Sequence, residues 1–184
     1  LNQPEGWERT VAQAIAGDPR AFADVFRLLG APVAGYLRGR GVDDADGLTN
    51  EVFLRVHRTL PRFDGTADEF RSWVFTIAHN AAVDDGRRRR RRVHETSRAS
   101  LPDSADVDVE TTVLARLADE RVRELLEVLT DDQQAVLILR VVSGLSVRET
   151  ASVLGKGEEA VKALQRRGLA TLRRRLTGKE GVPK

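Results

Sequence analysis

Residues 144–176 read GLSVRETASVLGKGEEAVKALQRRGLATLRRRL, and their punctuation decides the architecture. Ser146 is placed to cap a helix, and Glu149 three residues on completes a capping box. That helix is predicted to run to Leu154, with Val147, Ala151 and Leu154 on its inner face. Gly155-Lys156-Gly157 then breaks it, because glycine permits a sharp reversal. Glu158 and Glu159 open a second helix, where negative charge suits the positive end of the dipole. On it Val161, Leu164, Gly168, Leu172 and Leu176 share one stripe, while Glu159, Lys162, Arg166, Arg173 and Arg174 lie away from that stripe. A short helix, a glycine turn and a longer basic amphipathic helix read as a helix-turn-helix, whose second helix presents its early residues to the major groove. The plain alternative is an αα-hairpin with a solvated basic face.

Composition narrows the choice. In 184 residues, 41% are hydrophobic but only 5% aromatic, so the cores must be built from Leu, Val and Ala. Charged residues make up 32%, yet the formal net charge is +2, so distribution matters more than balance. Arginine is concentrated at residues 87–92 and 173–175, and acids at 43–46 and 103–110. Segregated charge suits a partner with its own charge pattern. The absence of cysteine removes disulfides and thiolate metal sites. His57, His79 and His94 have no metal-ligand spacing, so no cofactor is expected. No apolar run reaches the length of a membrane span and no signal-peptide pattern is seen, so the expectation is a soluble cytoplasmic protein.

Upstream the pattern is helical, with no strand signal. A first helix carries Trp7, Val11, Ala14 and Ile15, and a second carries Phe22, Val25, Phe26 and Leu29. Gly30-Ala31-Pro32 is expected to restart the chain into a third, through Tyr36 and Leu37. A fourth begins near residues 43–46 and buries Leu48, Val52, Phe53, Val56 and Leu60. After the loop at residues 61–66 a fifth starts near Asp68 and buries Phe70, Trp73, Val74 and Ile77. It runs on toward the arginines, with Gly86 expected to weaken or end it. Periodicity then vanishes over residues 93–110, a polar, acidic stretch that reads as a linker. Helical pattern returns near Thr112, with Leu114, Leu117, Val122, Leu125 and Leu126. Thr130 and Gln133 form another capping box, opening a helix through Ala135, Val136, Leu139 and Val142. The fold class expected is all-α, with two small helical domains joined by a flexible acidic linker.

Two further stretches carry chemistry. The helix from Asp43 is apolar on one face and carries Asp46, Asn50 and Glu51 on the other, a face whose plain reading is simple solvation. Residues 69–92 end in six consecutive arginines, whose mutual repulsion asks for nucleic acid, a membrane surface or an acidic protein partner. Phe70, Trp73 and Phe75 interleave with polar side chains just upstream. Such aromatics can stack unpaired bases, although the spacing of Phe70 and Trp73 favours a core. Asn80 is placed to read a base edge or merely to be exposed. Ser72 with His79, or His79 with Asp84, are the only nucleophile-like arrangements. No nucleophile elbow or phosphate loop accompanies them, so no catalysis is expected.

Taken together, DADGLTNEVFLRVHRTLPRFDG, FRSWVFTIAHNAAVD with its arginines, and LTDDQQAVLILRVVSGLSVRETASVLGKGEEAVKALQRRGLATLRRRL resemble the sigma-70 family, in its small extracytoplasmic-function members. The order of the pieces and the linker between them carry the resemblance. It implies domain 2 at residues 1–92, a linker at 93–111 and domain 4 at 112–178. It implies promoter-specific transcription initiation with core RNA polymerase, through its β′ coiled coil and β subunit, and with promoter DNA. It also implies an anti-sigma factor, and no small-molecule substrate. By the same resemblance Asp46, Asn50 and Glu51 dock the polymerase. Phe63, Asp64 and Gly65 capture a flipped −10 base, with Asn80 near it and Arg87 and Arg88 on the same DNA. Lys162, Ala163, Arg166 and Arg167 read the −35 element. The chain departs from the family's habit at Asn50 (usually Gln), at His57 (often Trp), at the Gly-Lys-Gly turn, at Ala163 (commonly Ser) and at Gly168 within the recognition helix. A stand-alone helix-turn-helix regulator and a protein-interaction adaptor are the competing readings.

Overall fold

The computed structural model describes residues 5–95, 121–122 and 124–177, and every regular element in it is helical. The N-terminal unit consists of α1 (Trp7–Ile15), α2 (Pro19–Gly39), α3 (Ala45–Thr59), a short 3-10 turn (Leu60–Arg62) and α4 (Ala67–Glu95). The C-terminal unit consists of α5 (Asp131–Leu137), a π turn (Ile138–Val142), α6 (Val147–Leu154) and α7 (Glu158–Thr177). The expected linker beyond residue 95, and the periodic residues 112–120, lie outside the described residues.

Local chemistry starts the helices. Asp18 caps α2, accepting from the Arg20 amide at 2.9 Å, with Pro19 at the first helical position. Asp44 caps α3 by accepting from the Gly47 amide at 2.8 Å. Both expected capping boxes form, at Thr130/Gln133 and at Ser146/Glu149. A third, Thr66/Glu69, opens α4: the Thr66 amide donates to Glu69 at 2.9 Å and the Glu69 amide to the Thr66 hydroxyl at 3.3 Å. Each such cap contributes about 1 kcal/mol.

Two expected breaks do not occur. Pro32 lies inside a continuous α2. A proline there removes one helical hydrogen bond, but Leu29, Val33, Tyr36 and Leu37 around it are at most 1% exposed, and their burial holds the helix together. Gly86 likewise does not end α4, which runs on to Glu95. The base-stacking reading fails for Phe75, and Phe70 fills the core as its spacing favours. Phe70 and Phe75 are fully buried, and only Trp73 is partly exposed. Neither nucleophile-like arrangement forms, since the Ser72 hydroxyl donates to the Glu69 carbonyl and His79 bonds Tyr36.

The N-terminal core is built from Trp7, Val25, Leu29, Val52, Phe53, Val56, Phe70 and Val74, among others, and it does not stop at the domain boundary. Ile138, Leu139, Leu145 and Val153 of the C-terminal unit belong to the same apolar cluster. The two units are therefore closed on each other. Small residues on α2 allow this approach. A Cβ at Gly39 would lie 2.9 Å from Ile138 Cδ1, and one at Gly35 3.2 Å from Val142 Cγ1. The π turn seats against these glycines while leaving Val141 and Val142 70% and 55% exposed. A second, smaller cluster of Val136, Ala151 and Val161 holds the C-terminal helices to one another.

Near the seam, the buried Tyr36 hydroxyl and His79 Nδ1 are 2.7 Å apart. Burial holds the Tyr36 hydroxyl well above its usual range, so the phenol stays protonated and donates to a neutral imidazole. Burial first, then the Arg40 guanidinium, holds His79 below its ordinary 6.5; Asp132 pulls the other way and Lys156 adds to the lowering. The unfolded chain therefore binds this proton more readily than the folded one. Stability is lost as pH falls through 6.5 toward the depressed folded value. The expected result is a urea midpoint that drops over this window in the parent chain and drops less in His79→Gln. Equal drops in both proteins exclude His79 as the group responsible.

Candidate nucleic-acid and polymerase interfaces

Three groups of the expected site residues lie on the surface. On α3, Asp46, Asn50 and Glu51 are all exposed on one side of the helix. Asp46 is paired with Arg38 at 3.1 Å and Glu51 with Arg55 at 3.9 Å. Both pairs are solvated and contribute little to stability, so this face is free to exchange its partners.

The loop before α4 is shaped by one aromatic contact. Phe63 is half-buried, edge-on to Phe70 at 5.3 Å between ring centroids and tilted against Trp73 at 4.8 Å. Asp64 and Gly65 are exposed beside it. A Cβ at Gly65 would fall 2.6 Å from the tip of the Phe63 ring, so a larger residue here would push that ring aside. Asn80 is exposed but lies about 10 Å further along α4 than Trp73. The structure thus brings Phe63 to Trp73 and does not bring Asn80 to the loop.

Further along α4 the arginines are not equivalent. Arg87 and Arg88 are exposed, and among the described residues their partner is the neighbouring Asp84. Arg89 turns inward, bonding the Gly41 carbonyl and pairing with Asp85 at 3.0 Å and Asp43 at 3.7 Å. Arg90 reaches Asp131 of the C-terminal unit at 3.6 Å.

The opening stretch folds as its punctuation requires. Ser146 accepts from the Glu149 amide at 3.1 Å, Glu149 accepts from the Ser146 amide at 2.7 Å, and Gly155 turns the chain in the left-handed region. On α7 Val161 and Gly168 are buried and Leu164 and Leu172 half-buried, whereas Leu176 at the end of the stripe is exposed. Lys162, Arg166 and Arg167 face solvent, with Ala163 half-exposed between them. Lys162 is held by Glu159 at 2.7 Å, which raises the ammonium's pKa and lowers the carboxyl's. Arg140 donates to Gln165 at 3.2 Å and to the Leu145 carbonyl, tying this helix to the π turn.

Gly168 does not interrupt α7. A Cβ there would lie 2.9 Å from Leu137 Cδ1 and 3.5 Å from Gln133 Cβ, so the glycine is the point where α7 crosses α5. Sequence reasoning missed this role, the Thr66/Glu69 cap, and Arg71, which is buried in the seam. The cap was readable, because Thr-x-x-Glu at 66–69 has the same spacing as the other two boxes. Nothing local to Arg71 announces a partner in the other unit.

A short helix, a tight turn and a second helix with an exposed basic face define a helix-turn-helix DNA-binding protein. Comparison with known proteins gives the family. The model for Sigma-70 region 2 matches residues 25–92, and that for Sigma-70, region 4 matches residues 119–172. The extracytoplasmic-function (ECF) RNA polymerase sigma factor SigD of Mycobacterium tuberculosis is 35% identical over 179 residues, covering 93% of this chain and 84% of that protein. The ECF RNA polymerase sigma factor BldN of Streptomyces coelicolor is 36% identical over 170 residues; the alignment covers 90% of this chain but 64% of BldN. Among solved structures, CnrH in complex with the cytosolic domain of CnrY is similar with a TM-score of 0.75 and 27% identity, covering 95% of this chain and 99% of that one. The chain belongs to the sigma-70 family, among its ECF RNA polymerase sigma factors. Its relatives are sigma factors rather than enzymes. No helix among the described residues is long and apolar enough to cross a membrane.

The α5–α7 crossing sets the pitch of the recognition helix, and substitutions at Gly168 test it. Alanine gains up to about 1 kcal/mol of helix propensity, which offsets a displaced Leu137 methyl. Valine adds two more carbons against Leu137 and Gln133, and overpacking at about 1–3 kcal/mol wins. Denaturation should therefore show Gly168→Ala near the parent and Gly168→Val clearly below it. A neutral Gly168→Val would remove the close-packed crossing.

Proposed function

We propose that this chain directs core RNA polymerase to promoters through three surfaces. The single observation that carries the reading is the exposed basic face of α7 in a chain whose two family matches fall in the order region 2 then region 4. The domain extents we adopt are residues 1–92, 93–111 and 112–178. Asp46, Asn50 and Glu51 dock the β′ coiled coil, an acidic and amide face whose existing ion pairs are weak enough to exchange. Phe63, Asp64 and Gly65 take a base flipped from the non-template strand, and the Phe63–Trp73 contact offers an aromatic surface for it. Asn80 contacts the same strand further along α4, and Arg87 and Arg88 hold phosphates. Lys162, Ala163, Arg166 and Arg167 read the −35 duplex. No covalent step belongs to the chain, and its place of action is the cytoplasm.

Closure bears directly on this function. Elements centred at −35 and −10 are separated by about 25 base pairs, or about 85 Å of duplex at 3.4 Å per step. In the closed form α6 of the helix-turn-helix packs against α4. The two modules cannot reach both elements in that state, so promoter engagement requires the units to part. The closed form also leaves an apolar groove between α2, the π turn and α7, with Val141, Val142 and Leu169 exposed along it. CnrH was solved with a fragment of CnrY, and RpoE of Bartonella quintana with the anti-sigma factor NepR. We assign the groove to an anti-sigma factor of this chain.

Run-off transcription with core polymerase on a promoter library tests the reading: transcripts that depend on the added chain support it, and duplex binding without core favours a stand-alone regulator. Within that assay, Arg166→Ala should relax preference at one or two −35 guanines and leave the −10 preference intact. A bidentate arginine–guanine contact carries about 1–3 kcal/mol of discrimination. An unchanged −35 preference would exclude Arg166 as a base reader.

A further inference from the structure

The two units meet around a charge. Arg71 shares a stripe of α4 with Phe75, Ala78 and Ala82, and all four are buried. Its Nε donates to Glu149 Oε1 and its Nη2 to Glu149 Oε2, each at 2.8 Å, and the same Nη2 reaches the Gly144 carbonyl at 3.2 Å. The two side chains are only 8% and 17% exposed. This is the paired-fork geometry in which arginine binds carboxylate best. Arg90–Asp131 also crosses the seam, but at 3.6 Å and with both side chains at least 75% exposed it contributes little. Arg40 crosses as well, to neutral acceptors, the Asp131 carbonyl and the Gln134 side chain.

Glu149 holds two positions at once. Its Oε2 accepts both from Arg71 and from the Ser146 amide that starts α6. Burial alone would push its carboxyl up, but the bonds from Arg71 and Ser146 outweigh that and hold it below the ordinary carboxylate range. The carboxylate is charged in the closed form, and the seam is organised to keep it so.

We propose that the Arg71–Glu149 pair is the latch that keeps this sigma factor closed. The pair neutralises a cation on the helix assigned to the −10 strand with a carboxylate of the helix-turn-helix. While it stands, neither module is free to take its own element. When it breaks, Glu149 reverts to capping alone, so the helix-turn-helix leaves the seam folded. The role of the latch in initiation rests on the promoter reading above, whereas its existence in the free chain does not.

The chain itself supplies the discriminating substitution. A capping box works with Gln as well as Glu, and Thr130/Gln133 is such a box here. Glu149→Gln therefore keeps the cap and removes the charge. A reporter is equally at hand. The sequence has no cysteine, and Ser143, next to the Gly144 carbonyl that Arg71 reaches, is fully buried, and its hydroxyl has no partner among the described residues. Ser143→Cys is close to isosteric, and the rate at which a thiol reagent modifies it reads the opening equilibrium even when the open form is rare.

In the Ser143→Cys chain without polymerase, Glu149→Gln and Arg71→Gln should each raise the modification rate about tenfold or more, with helix content unchanged. The double variant should be no faster than the faster single, because both remove one interaction. Unchanged rates in folded Glu149→Gln, or fully additive effects, would overturn the latch. Should Arg71→Gln fail to fold, Glu149→Gln decides alone. Run-off transcription by the parent chain is the separate readout: its failure would remove the promoter reading and leave the latch standing on the thiol rates.

Discussion

A guanidinium cannot be taken out of water without an anion, and the two halves of this protein are joined where that requirement is met. Arg71 enters the seam from α4, and the carboxylate it finds on Glu149 is already engaged at the start of α6. Around that pair the contacts are apolar and close. Ile138 and Val142 lie against the bare backbone of Gly39 and Gly35, and Leu145 and Val153 complete the N-terminal core. The apolar contacts supply area without direction. The ion pair supplies register, since a bidentate fork tolerates little displacement.

What the sequence makes legible is what is local. The boxes at Thr130/Gln133 and Ser146/Glu149, and the apolar stripe from Val161 to Leu172, are encoded within a few residues and appear as read. Where local signals compete with burial, burial decides. Pro32 and Gly86 are breakers by propensity, yet α2 and α4 pass through them. Phe75 looks like a stacking platform beside cations, but it fills the core. Periodicity assigned one apolar face to α4, whereas the helix is buried on a second stripe, at residues 71, 75, 78 and 82. That stripe begins with an arginine, and it is intelligible only once Glu149, seventy-eight positions away, is brought to it.

The same distinction runs through the surfaces assigned to function. Residues 46, 50 and 51 share a helix face, and 162, 163, 166 and 167 share another, because helical spacing alone puts them there. Asn80 and the Phe63 loop are joined only by resemblance, and Asn80 lies about two turns beyond Trp73 on α4. Gly168, a departure from family habit, becomes the contact that sets α7 on α5. A departure in sequence can therefore be a packing requirement of the particular chain.

We propose that the closed form must open to act. This is tested most directly by preventing opening with a covalent link. Gly35 on α2 and Val142 on the π turn face each other across the seam, with a Gly35 Cβ 3.2 Å from Val142 Cγ1, and no native cysteine competes. In Gly35→Cys/Val142→Cys, oxidation should abolish run-off transcription from a promoter with both elements, and reductant should restore it, while either single cysteine is indifferent to oxidant. Full transcription by the quantitatively cross-linked protein would contradict the account.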